Sequence, residues 1–119
     1  MSAAREAFVQ EAELLLAGDT DSAEPGAAVT VALCGYWEHE GPCRWPHNNA
    51  ITAAPGSAAR FRTLFVADGA EEQSVRDLIV GALGAAPGWS VTSTAAPPVA
   101  ESERDLARRL LSTRAAHQL

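Results

Sequence analysis

At 119 residues, 47% of them hydrophobic, the chain is long enough for one compact core and short for two, so it reads as a single α+β domain spanning 1–119. Its formal charge of -6 repels phosphate backbones and anionic lipid, which argues against nucleic acid and membrane partners. Every one of its nine basic residues is arginine; the absence of lysine excludes Schiff-base chemistry, a lysine general base and the lysine of a phosphate-binding loop.

No apolar run approaches the length of a membrane span, and the start, MSAAREAFVQEAE, has neither the apolar stretch of a signal peptide nor the Arg-rich, acid-poor character of a transit peptide. The expected location is the cytoplasm. In that reducing setting Cys34 and Cys43 are expected as thiols or metal ligands and not as a disulfide.

Ser2 is placed to cap a first helix in which Phe8, Ala12, Leu15 and Leu16 share a face, with Gly18 and Asp19 as its stop. A polar connection, Asp19 to Ala27, leads to a strand in which Val29, Val31, Leu33 and Trp37 alternate, ending near Glu38. The turn signal Pro55–Gly56 separates a short strand, Ala50 to Ala54, from a longer one, Arg60 to Ala67, and predicts a hairpin. Asp68 and Glu71 have the spacing of a capping box for a helix whose stripe is Val75, Leu78, Ile79, Ala82 and Leu83, ending near Gly84. Trp89, Val91 and Ser93 alternate with Ser90, Thr92 and Thr94 in a last strand bounded by prolines. Ser102 and Asp105 then offer a cap for a C-terminal helix carrying Leu106, Leu110 and Leu111, with Arg108, Arg109, Arg114 and His117 toward its negative end.

This order predicts a two-layer sandwich: a three- to four-stranded, mainly antiparallel sheet packed on one side against helices. Its other face would carry Thr30, Ala32, Cys34 and Tyr36 with Ser90, Thr92 and Thr94, and a homodimer through that face is the expected assembly. A helix, three strands and a helix would also suit a double-stranded-RNA-binding domain. Asp68, Glu71 and Glu72 stand where such a domain needs cations, so RNA is set aside.

The chemistry concentrates in Trp37 to Asn49, WEHEGPCRWPHNN, which holds two of the three histidines, one of the two cysteines and two of the three tryptophans. His39, Cys43 and His47 are separated by three residues each, and imidazole, thiolate and imidazole suit Zn²⁺ or another late transition ion. Gly41, Pro42 and Pro46 rule out one continuous helix, so the three must converge through a turn. Cys34, on a regular strand, would sit about 16 Å from His39 and on the opposite face. Glu38, Glu40, water or a second subunit is left to complete the set. The same residues admit a second reading: Cys43, beside Arg44 and flanked by histidines, has the surroundings of a reactive thiol in a redox sensor or thiol enzyme. A plain structural reading makes Cys43 a small buried hydrophobe and lets loop carbonyls satisfy His39 and His47. Tyr36, Trp37 and Trp45 are three of only seven aromatic residues. Alternation puts Trp37 in the core, whereas Trp45 and Tyr36 are free to line a ligand or protein contact, with Arg44 as a hold for a carboxylate or phosphate. Arg60 and Arg62 share a strand face, as solvated side chains or partners of Glu38 and Glu40. The functional expectation is therefore a binding module for a transition metal or small ligand at residues 37–49. The alternatives are a metal-free homodimeric interaction or organic-ligand domain, and a Cys43-based thiol protein.

Overall fold

The computed structural model describes residues 5–34 and 45–112. Its first element corrects the sequence expectation: Arg5–Leu16 is a strand, β1, and not a helix. The segment is rich in helix formers, but Phe8, Ala12, Leu14 and Leu16 also satisfy a period of two, and pairing on both edges decides between the periods. The second element is corrected too. Glu24–Cys34 is a helix, α1, not a strand. Pro25, Val29 and Leu33, four residues apart, are its buried stripe, while Val31 is 42% exposed. Asp21 starts it by accepting from the Ala23 N–H at 2.9 Å, and Glu24 reaches back to the Asp21 N–H at 3.4 Å, the reciprocal arrangement of a capping box.

From there the expected order holds: β2 (His47–Ala53), β3 (Ala58–Asp68), α2 (Glu72–Gly84), β4 (Trp89–Ala95) and α3 (Arg104–Leu111). β2 and β3 form the expected hairpin. Its turn contains Gly56 at φ 72°, a backbone state that costs glycine nothing and other residues energy. The Asp68 side chain makes no cap hydrogen bond; a short 3-10 turn, Gly69–Glu71, leads into α2 instead. The start of α3 is likewise held by Glu103, which accepts from the Ala100 N–H at 2.8 Å, in place of the expected Ser102 cap.

The four strands form one antiparallel sheet in the order β2-β3-β1-β4. With the helices this is a split β-α-β-β-α-β connectivity, the arrangement called ferredoxin-like, followed by one extra helix. β1 is therefore central. α1 and α2 cover one face, where Leu14, Phe61, Phe65, Val29, Leu33, Val75, Ile79 and Leu83 are nearly inaccessible to solvent. Each such side chain contributes about 1.5–3 kcal/mol by leaving water. α3 packs on the opposite face, where Ala107 meets Val9 and Leu64, the residues that alternate away from the main core. The second face is thus partly covered by α3. It does not present Thr30, Ala32 and Cys34, which lie on α1.

Two polar devices, one buried and one half-buried, hold the layers in register. Arg76, 9% exposed, reaches from α2 to the Val9 carbonyl at 2.7 Å and Gln10 Oε1 at 3.0 Å. Its guanidinium lies over the rings of Phe8 and Phe65, and Glu72 neutralises it at 2.7 Å. Val9 and Gln10 lie beyond the end of the β1–β4 ladder at Glu11↔Ala95, so Arg76 satisfies a carbonyl that β4 does not reach. On the other face Arg62 forms a two-pronged pair with Glu103 at 2.6 and 2.7 Å and also bonds Glu11, pinning the start of α3 to β3 and β1. Arg60 pairs with Glu13 at 3.0 Å. Among the described residues Arg60 thus has its partner on β1 and Arg62 has partners on β1 and at the start of α3; Glu38 and Glu40 lie outside the described residues.

Candidate functional site

Of the residues singled out from the sequence, Tyr36, Trp37, Glu38, His39, Glu40, Cys43 and Arg44 lie outside the described residues, as do Ser2, Arg114 and His117. Cys34, Trp45 and His47 are described. Cys34, the last residue of α1, is disulfide-bonded, which corrects the expectation of a thiol; the sequence holds one other cysteine, Cys43.

Trp45 and His47 are drawn into the frame that joins α1 to β2. The Trp45 ring packs against the main core and its Nε1–H donates to Glu71 Oε1 at 3.2 Å, so the side chain expected to be free for a partner is half-buried. His47 Nδ1 is 3.0 Å from the Trp45 carbonyl and Nε2 is 3.1 Å from Thr30 Oγ1. A carbonyl can only accept, so Nδ1 carries the ring hydrogen. Asn49 Nδ2 donates to Thr30 Oγ1 at 3.2 Å and to the Gly26 carbonyl at 3.0 Å. That leaves the Thr30 hydroxyl to donate to His47 Nε2. Thr63 Oγ1 completes the relay by donating to Asn49 Oδ1 at 2.9 Å. Every member of this chain from β3 through β2 to α1 has a partner of the right kind, which is the condition under which a buried polar network stabilises. The helix lies close here: a Cβ at Gly26 would stand in van der Waals contact with Asn49, 3.4 Å from its Cβ.

This arrangement sets the charge state of His47. Burial is the larger influence and pushes its pKa below the usual histidine value, opposed by the bond to Trp45, so the ring is neutral in the fold. As it stands neither ring nitrogen is open to a metal, and coordination through Nε2 would require Thr30 to let go. Among the described residues no group of three or more His, Cys, Asp or Glu side chains gathers in a way that would hold an ion.

The opposite end of the same frame is open. Where β1 runs out and α1 has yet to begin, a cleft of about 460 Å³ lies over the sheet's helix-side face, between the connection 16–22 and the turn at 56–57. A second hollow of about 220 Å³ adjoins it, sharing Ser22 and Ile51, and runs under the first turn of α1 to Asn49 and Phe61. The floor explains the space. Ala53 and Ala59 occupy core-facing positions at the end of β2 and β3, whereas the next core-facing position along β3 is Phe61. Gly18 adds to it: a Cβ built there meets nothing within 4 Å, and its backbone has no positive φ to require glycine.

The chain matches no family model, no curated protein and no solved structure. The cleft was missed in the sequence because its lining comes from a connection, a strand end and a turn. The signals that remained were the small-residue runs AGDTDSA at 17–23 and AAPGSAA at 53–59, which read as ordinary loops until β1 and the hairpin are known to be neighbours.

No helix among the described residues is long and apolar enough to cross a membrane.

Proposed function

We propose that the protein is a binding module that takes a small organic ligand, without turnover, in the cleft between the β1–α1 connection and the β2–β3 turn. The observation that carries this reading is the hollow of about 460 Å³ with its neighbour of about 220 Å³. Small-molecule sites are concave, of roughly 300–1,000 Å³, and mix apolar walls with a few polar groups. Here Leu16, Ile51 and the alanines supply the walls, and Thr20, Ser22 and Ser57 the hydroxyls. Among the described residues the lining side chains are apolar or hydroxyl-bearing, which suits binding over acid–base chemistry. The test is an NMR titration with benzyl alcohol and similar small probes. Saturable amide shifts confined to residues 16–22 and 51–59, and lost in Ala53→Leu, are expected. No saturable shift there from any probe would overturn the reading.

A second reading keeps Zn²⁺ or another late transition ion at His39, Cys43 and His47, a set available only once the disulfide of Cys34, whose one possible partner within the chain is Cys43, is reduced. What favours it is the Nδ1–H bond to the Trp45 carbonyl, the kind of outer bond that orients metal-bound histidines; the ion would take the place of the Thr30 hydroxyl at Nε2. Elemental analysis and zinc titration of untagged, disulfide-reduced protein decide it, with His47→Ala expected to abolish uptake. On location, a disulfide at Cys34 fits an oxidising compartment better than the cytoplasm.

A further inference from the structure

We propose that the ligand of this cleft is an organic cation, a protonated amine on a small apolar body; the inference rests on the cleft being a binding site. Charge selects it. Among the described residues no basic residue lines either hollow. Of the nine arginines none falls within 16–26 or 49–59, which supply all the described lining but Phe61. Acids flank the lining in sequence instead: Asp19 and Asp21 alternate with the lining residues Gly18, Thr20 and Ser22, Glu24 follows Ala23, and all three are exposed.

The first turn of α1, which overhangs the smaller hollow, would ordinarily attract an anion. Here two of its donors are already answered and a third position has none. The Ala23 N–H bonds to Asp21 Oδ1, the Glu24 N–H bonds to the Asp21 carbonyl at 3.0 Å, and residue 25 is a proline with no N–H to offer. The Asp21 carboxylate has taken part of the place an anionic ligand would want, and with Asp19 and Glu24 it adds negative charge close to the hollows. An amine meets that field favourably while its hydrocarbon part lies on Ile51, Ala53 and Ala59.

Three probes of one shape separate the possibilities: benzylamine, benzyl alcohol and benzoate, titrated by NMR into the full chain at low ionic strength. Benzylamine is expected to bind tightest, by roughly threefold or more over the alcohol, with benzoate weakest; the margin should shrink near 1 M salt, where the screening length is about 3 Å. Asp19→Asn should narrow the same margin without touching the cap of α1. Gly18→Leu, whose side chain would grow into open space, should block all three probes while the rest of the spectrum stays in place. Equal binding of the three, or a preference for benzoate, overturns the charge selection and leaves the cleft as a site. No binding by any of them, with the fold intact, overturns both.

Discussion

The Thr30 hydroxyl bonds the Nε2 of His47 at 3.1 Å, and through this contact the middle of α1 is fixed to the first residue of the edge strand β2. Because the same oxygen also accepts from Asn49, Thr30 is the shared member of two bonds. Replacing it by valine, which keeps the shape, strands an imidazole nitrogen and an amide hydrogen together. Thr30→Val is expected to lower unfolding stability by about 1–3 kcal/mol, the range for a buried polar group left unsatisfied. Urea unfolding measures it, and a loss indistinguishable from zero would show that the relay holds nothing.

Stability should also fall with pH through this histidine. Its pKa is depressed in the fold, so the neutral form is favoured there and the unfolded chain binds the proton more readily. The contribution is therefore complete above the unfolded histidine value, about 6.5. It is lost as pH drops below that value toward the folded pKa. Unfolding free energies between neutral pH and mildly acid pH should decline in wild type and decline less in His47→Asn. A rise in stability over the same interval would contradict the assignment of a neutral, donor-at-Nδ1 ring.

The pair between Arg62 and Glu103 predicts a local effect. Its bond to Arg62 holds the Glu103 carboxyl below the usual glutamate range, and the guanidinium is raised in turn. The docking of α3 is accordingly present above the ordinary glutamate pKa, about 4.3, and weakens as pH falls through the lower folded value. Arg62→Gln should speed amide exchange in Arg104–Leu111 while Val75–Leu83 stays protected. Uniform loss of protection across both helices would mean that α3 is not a separable layer.

Arg76 offers a sharper case. Methionine at this position fills much of the volume but leaves the Val9 carbonyl and Gln10 Oε1 without their donor. Arg76→Met is expected to cost about 2–4 kcal/mol, since breaking a buried charged contact approaches the upper range for such changes. Arg76→Lys should recover only part of this, because one ammonium cannot copy the planar fork that serves Val9, Gln10 and Glu72 together. Full recovery by lysine, read from denaturation midpoints, would argue against the geometry.

Much of the architecture was legible in the residues, and the failures have physical causes. From His47 onward, alternation in β3 and β4 and the four-residue stripe of Val75, Ile79 and Leu83 gave the right element types, since each has one period and clear turn residues around it. The first 34 residues carry two periods at once. Phe8, Ala12 and Leu16 fit a helix as well as a strand, and only the late-coming partners Ala58–Asp68 and Trp89–Ala95 select the strand. In α1, Val29, Val31 and Leu33 alternate like a strand, and the helix is announced only by Asp21, Glu24 and Pro25, which sit inside what reads as a loop. The proposed loop site divided in the same way. Sequence spacing brought His47 and Trp45 forward as free ligands. Their bonds to Thr30 and Glu71 depend on elements 17 and 26 residues distant, which no local pattern encodes.

The place of β1 in the middle of the sheet has a consequence for biosynthesis. Both of its neighbours, β3 and β4, are translated long after it, so the strand carrying Val9 and Leu14 leaves the ribosome with two unmated edges. A polypeptide released before Ala58 is made has no way to shield them, and such truncated products are expected to clump or be degraded instead of settling into a smaller domain.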